Sequence, residues 1–391
     1  MNRHALFHKP EVPYGYAIND DTLFVKIRVA NDDISKVYIY FKDRHGRGLP
    51  YTEKLMDYEQ GDSLFDYYTT TLDNCRLRFR YYFKIEDKGG DTVFYNERGA
   101  VINNPLGAQA FHFPYICEGD RTKELKWVQE GIVYQIIPDR FNNGCHHNDP
   151  VGVKAWGEKG GYSDFFGGDL IGITNKLDYL SNLGITIIYL TPIFSSTTYH
   201  KYNTKDYYQV DSGFGTKEDL KVLVAKSHER GIRIVLDVAF HHSGHDFFAF
   251  QDVIKNGEIS KYKNWYFVDS FPIDMTNLNY VTFASRHHSM PKLRMSNNEA
   301  NDYFVEVGRH WIRECDIDGW RIDVCDEIDH VFLKDFYKEM KLVKEDIFIV
   351  GEITHNNSDF IRGDEMDSTT NYSFREAVLD FFGTKIISGE D

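Results

Sequence analysis

Ile232-Arg233-Ile234-Val235-Leu236-Asp237 is a short, nearly continuous apolar run that ends on a carboxylate. Ile347-Phe348-Ile349-Val350-Gly351-Glu352 repeats the pattern, and Gly319-Trp320-Arg321-Ile322-Asp323-Val324 carries two charges within a third run. Residues 132–137 and 185–190 have the same apolar character. Such runs suit strands that are buried on both faces. Between them, residues 170–183 and 217–229 space their apolar side chains as amphipathic helices do. Strand alternating with helix predicts a parallel sheet with helical crossovers. A doubly wound sheet and a closed barrel both satisfy that pattern. Acids at the carboxyl ends of several strands favour the barrel, because a TIM barrel gathers its active site on that face.

Ahead of residue 126 the pattern is different. Thr22-Leu23-Phe24-Val25-Lys26-Ile27-Arg28-Val29 alternates, as do residues 36–41 and 76–85. Turn-rich pieces such as Asp87-Lys88-Gly89-Gly90 separate them. This predicts an antiparallel β-sandwich over residues 1–120. The polar stretch at 118–124 marks the boundary, and the second domain runs over 126–391.

The net charge of −15 gives no footprint for nucleic acid or an anionic membrane, so neither is expected as a partner. The start of the chain has no apolar run of the signal-peptide kind, and no stretch has the uncharged length of a membrane span. Five cysteines without metal-type spacing are expected to be reduced thiols in a cytoplasmic protein.

Side chains alternate along a strand, so Arg321 and Asp323 face the same side while Trp320 and Ile322 face the covering helices. A single buried Arg–Asp pair fits a tidy core as well as a catalytic one. Three acidic strand ends beside one arginine point to chemistry. Two carboxylates flanking a bond are the machinery of glycoside hydrolysis. Arg321 is expected to keep Asp323 ionised, as a nucleophile requires, and Glu352 to hold a proton, as an acid requires. Their carboxyl groups are expected about 5–6 Å apart, the spacing of retaining enzymes.

Several motifs carry a resemblance. Gly319-Trp320-Arg321-Ile322-Asp323 resembles the nucleophile strand of the α-amylase superfamily, glycoside hydrolase family 13. Leu236-Asp237-Val238-Ala239-Phe240-His241-His242 is similar to its first signature, and Gly351-Glu352-Ile353-Thr354-His355 to its acid/base region. Tyr134-Gln135-Ile136-Ile137-Pro138-Asp139-Arg140-Phe141, Phe166-Gly167-Gly168-Asp169 and His200-Lys201-Tyr202-Asn203-Thr204 also fit. Met290-Pro291-Lys292-Leu293 resembles the motif that closes the family's inserted domain B, placed here at 243–295. The sandwich resembles the N-terminal module of the neopullulanase, cyclomaltodextrinase and maltogenic amylase subfamily, a carbohydrate-binding-like module. The fold implied is therefore a sandwich followed by a (β/α)8-type TIM barrel.

By this resemblance Asp323 is the nucleophile, Glu352 the general acid/base, and Arg321 the residue that orients Asp323. Asp237 supports the arginine. Tyr202, His242, Glu327 and His355 join it in contacting an α-glucan oligosaccharide. No cofactor is required. The resemblance also implies a calcium site at Asn143, Asn148, Asp149, the Gly167 carbonyl and Asp169, although Cys145 stands where an Asp ligand is expected, and thiols suit calcium poorly. It further implies a homodimer.

Some positions depart from the family. His241 replaces Asn, Thr354 replaces a Trp that would stack near the leaving group, and Cys325-Asp326 replaces Ala-Asn. The family's third acid lies in a His-Asp motif, and none of the 39 residues after Glu352 places His before Asp. The expectation is an incomplete barrel of about six strands. A non-catalytic glucan-binding protein and a glucan transferase or isomerase of the superfamily remain open at this point.

Overall fold

The computed structural model describes the chain except for Asp20, Arg47, Tyr162, Arg286 and residues 74–77, 106–108, 114–123, 356–359 and 388–391. All but the last residue of the expected boundary at 118–124, and the first two positions of the strand expected at 76–85, lie outside the described residues. The chain forms two compact units, Met1–Arg121 with Tyr372–Asp391, and Thr122–Asn371.

In the first unit the strands are β1 Gly15–Ala17, β2 Leu23–Ala30, β3 Ile34–Asp43, β4 Thr52–Leu55, β5 Asp57–Gly61, β6 Phe65–Leu72, β7 Phe79–Asp87, β8 Thr92–Asn96, β9 Gly99–Val101 and β10 Phe111–Phe113. One antiparallel sheet has the order β1-β2-β6-β5 and the other β4-β3-β7-β8-β9, with β10 on β7. Alternation decides the faces: Leu23, Val25, Ile27 and Val29 of β2 are fully buried, and their polar neighbours look outward. They meet Val37, Ile39, Phe83 and Ile85 of the other sheet in one core. Two facing antiparallel sheets are the expected sandwich. Residues 372–384 are helical.

The second unit holds a parallel sheet of β11 Val133–Ile136, β12 Ile187–Leu190, β15 Arg233–Ala239, β16 Gly319–Asp323, β17 Phe348–Gly351 and β18 Ser368–Thr369, in that spatial order. A small antiparallel pair, β13 Phe194–Ser196 and β14 Thr204–Val210, follows β12. Among the described residues the parallel sheet has six strands, each paired to the next in chain order, with helices between successive strands up to β17, which is barrel grammar. The helix expected at 170–183 is two short ones, Leu170–Asn175 and Leu177–Asn182, broken at Lys176. The long helices Asn298–Cys315 and His330–Val343 press Phe304, Trp311, Phe332 and Phe336 onto the sheet. Each such side chain contributes about 1.5–3 kcal/mol by leaving water. Gly319 is required at the start of β16: a Cβ there would meet the Phe348 carbonyl oxygen at 2.8 Å and Val235 at 2.9 Å.

Candidate active site

Register brings the acids together. β15 and β16 pair so that Asp237 lies opposite Arg321 and Ala239 opposite Asp323. β16 and β17 pair Ile322 with Gly351, and the Glu352 amide then donates to the Ile322 carbonyl at 2.8 Å. Period-two alternation sends Trp320 the other way, where it is fully buried against Phe336 of a covering helix. Arg321 and Asp323 point to the opposite side.

One guanidinium serves three carboxylates. Arg321 Nη1 donates to Asp237 Oδ1 at 3.0 Å and to Asp323 Oδ1 at 2.5 Å, and Nη2 lies 2.8 Å from Glu352 Oε1. Asp237 is buried, and it also accepts hydrogen bonds from the hydroxyls of Tyr189 and, at 3.0 Å, Tyr202. Val324, directly after Asp323, adopts φ 47°, a left-handed conformation costly for a β-branched residue. That turn aims its amide at Glu352 Oε2, 3.2 Å away.

Burial pushes the Asp323 carboxyl well above the ordinary range. Asp237 adds to this, Arg321 opposes it, and Glu352 adds again. The contact expected between Arg321 and Asp323 is present and favours the ionised form, while burial and Asp237 press the other way. The cation is divided among three acids and cannot offset the burial of all of them. Three ionised carboxylates around one arginine carry two uncompensated charges, so the cluster favours keeping a proton.

Arg321, Asp323 and Glu352 line a cavity of about 600 Å³ together with Tyr202, His242, His200 and Phe283. Burial pulls His242 down to about 3 and His241 to about 4, so both imidazoles are neutral near pH 7. Tyr202 and His242 thus stand on the wall with Arg321, Asp323 and Glu352. Asp237 lies behind the wall, and Glu327 and His355 are not part of it. Glu327 is half exposed, 3.0 Å from His241 Nε2 and 3.3 Å from Lys292 Nζ. His355 is exposed, 3.3 Å from Asp326.

Sequence reading passed over Tyr189 as one more apolar position of β12. The available signal was its hydroxyl, since a buried phenol in an apolar strand needs a polar partner. Here that partner is Asp237.

The residues considered for calcium come together in part. The buried Oδ1 atoms of Asn143 and Asn148 have no hydrogen-bond partner, and Asn143 Nδ2 donates to Asp149 at 2.6 Å. A Cβ on Gly167 would meet Asp149 Oδ1 at 2.6 Å, so this glycine seats the loop against them. Orphaned amide oxygens beside a carboxylate fit a hard cation. Asp169 is engaged by backbone amides. Its oxygens accept from the amides of Gly144, Cys145 and Gly172, the last as a helix N-cap. Among the described residues, no group of three or more His, Cys, Asp or Glu side chains is placed to hold a metal.

The family model for the α-amylase catalytic domain matches residues 135–389, and that for the α-amylase N-terminal Ig-like domain matches 1–117. A cyclomaltodextrinase of Thermoanaerobacter pseudethanolicus is 46% identical over 99% of this chain and 68% of its own length. Neopullulanase 2 of Thermoactinomyces vulgaris is 39% identical over 99% of this chain and 66% of its own. A solved cyclomaltodextrinase structure superposes with a TM-score of 0.95 at 39% identity, covering all of this chain and 67% of that one. The chain thus spans about two-thirds of the length of these relatives. Among the described residues, no helix is long and apolar enough to cross a membrane. With both domain models matched in order and the carboxylates gathered at the carboxyl ends of the strands, the chain belongs to the α-amylase family of α-glucan hydrolases.

Proposed function

We propose that this protein is a retaining glycoside hydrolase that cleaves α-glucosidic bonds of maltodextrins, cyclomaltodextrins or pullulan, with Asp323 as nucleophile and Glu352 as general acid/base. The observation that carries the reading is one arginine on the wall of a cavity, Arg321, shared by Asp323 and Glu352 on that wall and by Asp237 behind it. Glu352 gives a proton to the leaving glycosidic oxygen while an Asp323 oxygen bonds to the anomeric carbon. Water then enters, Glu352 takes its proton, and the oxygen attacks the same carbon, releasing Asp323. Two inversions retain the configuration. A sugar hydroxyl in place of water turns the second step into transfer, and the two outcomes share one intermediate.

Arg321, tied by Asp237, fixes the carboxylate that attacks. The Tyr202 ring stacks on the sugar at the cleaved site, and neutral His242 hydrogen-bonds to it. Calcium, held by Asn143, Asn148, Asp149 and the Gly167 carbonyl, would fix the loop that carries them. The free cysteines and the kinship to intracellular maltogenic amylases support a cytoplasmic location. A homodimer is the expected assembly.

The test is stereochemical. The full product of the gene is given cyclomaltodextrin, and the first-formed product is read by proton NMR before mutarotation. The α-anomer is expected. The β-anomer would mean single-step inversion and would overturn the nucleophilic role of Asp323.

A further inference from the structure

The loop between β13 and β14 supplies Thr198, Tyr199, His200 and Tyr202 to the cavity wall. In its middle, Lys201 turns away from the cavity. Its backbone has φ 63°, a left-handed conformation that a residue with a Cβ rarely adopts. Its side chain is only 5% exposed, among the least hospitable places for an ammonium group.

Both costs are met at one point. Lys201 Nζ lies 2.9 Å from Asp211 Oδ1 and 5.1 Å from the centroid of the Phe214 ring. Asp211 is itself buried and anchored from two sides: the Ser196 amide donates to Oδ2 and the Gly213 amide to Oδ1, each at 3.0 Å. Ser196 ends β13, so the ammonium is tied to the strand from which the loop departs. Asn203 closes the far end, accepting from Ser196 Oγ at 2.7 Å and donating to Thr197 Oγ1 at 3.1 Å.

The consequence falls on the neighbours. Because the backbone reverses at Lys201, His200 and Tyr202 emerge on the same side, their rings stacked at 5.9 Å. The Tyr202 amide donates to His200 Nδ1 at 3.1 Å, and the Tyr202 hydroxyl reaches Asp237, which holds Arg321. We infer that Lys201 is a positioning residue: its buried ion pair with Asp211 holds the strained turn that sets the Tyr202 ring and hydroxyl against the reacting sugar. The inference rests on the proposed role of Tyr202, and Lys201 itself touches no substrate.

A double-mutant cycle in the full gene product tests it, with kcat and KM for cyclomaltodextrin measured well below each variant's melting temperature. Lys201→Met removes the ammonium at similar length. It is expected to lower kcat/KM at least about tenfold, since small misplacements of a site wall carry large rate penalties. Tyr202→Phe is expected to be impaired as well, and the double variant to be little worse than the poorer single one, because both act through one group. If Lys201→Met does not fold, Asp211→Asn unties the same pair from the other end and carries the same cycle. Normal kcat/KM beside an impaired Tyr202→Phe, or losses that simply add, would reduce Lys201 to a stabilising residue and overturn this inference alone. A Tyr202→Phe enzyme with unchanged kinetics would show that the hydroxyl tie to Asp237 does not matter for turnover and would overturn this inference, while leaving the stacking role of the Tyr202 ring in the proposed function standing.

Discussion

Asp323→Asn is expected to abolish hydrolysis of cyclomaltodextrin by the full gene product, by at least about a thousandfold in kcat, with no loss of thermal stability. An amide of the same shape still fills the site but cannot form the glycosyl ester, and loss of a nucleophile of this kind removes nearly all catalysis. The folded environment raises the Asp323 carboxyl above its ordinary value, chiefly by burial. The ionised form is therefore disfavoured in the folded state, so at neutral pH this group subtracts from stability. Asparagine removes that cost, and repulsion from Asp237 and Glu352 with it. The variant should melt at the same temperature as the parent or higher at pH 7, and any advantage should shrink as the pH falls and the parent's carboxyl takes up its proton. Activity assays beside calorimetry at two pH values check both halves. A variant that is inactive because it has unfolded would not support the account.

The opposite pattern is expected at the other end of the same strand. Asp318, just ahead of β16, is fully buried. It is 2.7 Å from His228 Nε2, 2.8 Å from Arg233 Nη1 and 3.0 Å from Lys344 Nζ, and it accepts the Ile234 amide at 2.9 Å. Burial alone would raise its carboxyl. The hydrogen bonds from His228, Arg233 and Ile234, with the charge of Lys344, outweigh burial and pull it down to about 2. A folded value below the unfolded one of about 3.9 means that its contribution is complete above that pH and is lost as the pH falls toward 2. Asp318→Asn breaks a buried ionic cluster from one side and is expected to cost about 3–5 kcal/mol. Chemical denaturation at pH 7 measures this, while kcat below the melting temperature should hold, since Asp318 lies away from the cavity wall. A loss under about 1 kcal/mol would show the cluster to be as weak as a surface pair.

Much of the site was legible because strand geometry is local. A period of two is enough to place Arg321 and Asp323 together and Trp320 against a helix. Runs ending in acids were enough to read parallel strands. What was not legible depends on distant chain. Nothing near Arg321 in sequence announces that Glu352 will take its second nitrogen, or how deeply Asp323 and Asp237 are buried beside it. Glu327 and His355 sat in matching motifs, yet the left-handed turn at Val324 and the short 3-10 helix Cys325–Glu327 carry Glu327 out to Lys292. The capping role of Asp169 was not legible, because its partner, the Gly172 amide, is an ordinary backbone group. Lys201 read as one letter of a motif, since neither its backbone angle nor its partner ten positions on can be seen from a string of residues.

The most direct measurement of the central claim is the identity of the residue that bonds to the sugar. A slow α-glycosyl fluoride, fluorinated on the ring so that the glycosyl-enzyme persists, is incubated with the full gene product, which is then digested and sequenced by mass spectrometry. The account predicts one added glycosyl group, carried as an ester on the Asp323 side chain. An adduct on Asp237, Glu352 or any other residue, or steady turnover of the fluoride with inversion and no adduct, would contradict it.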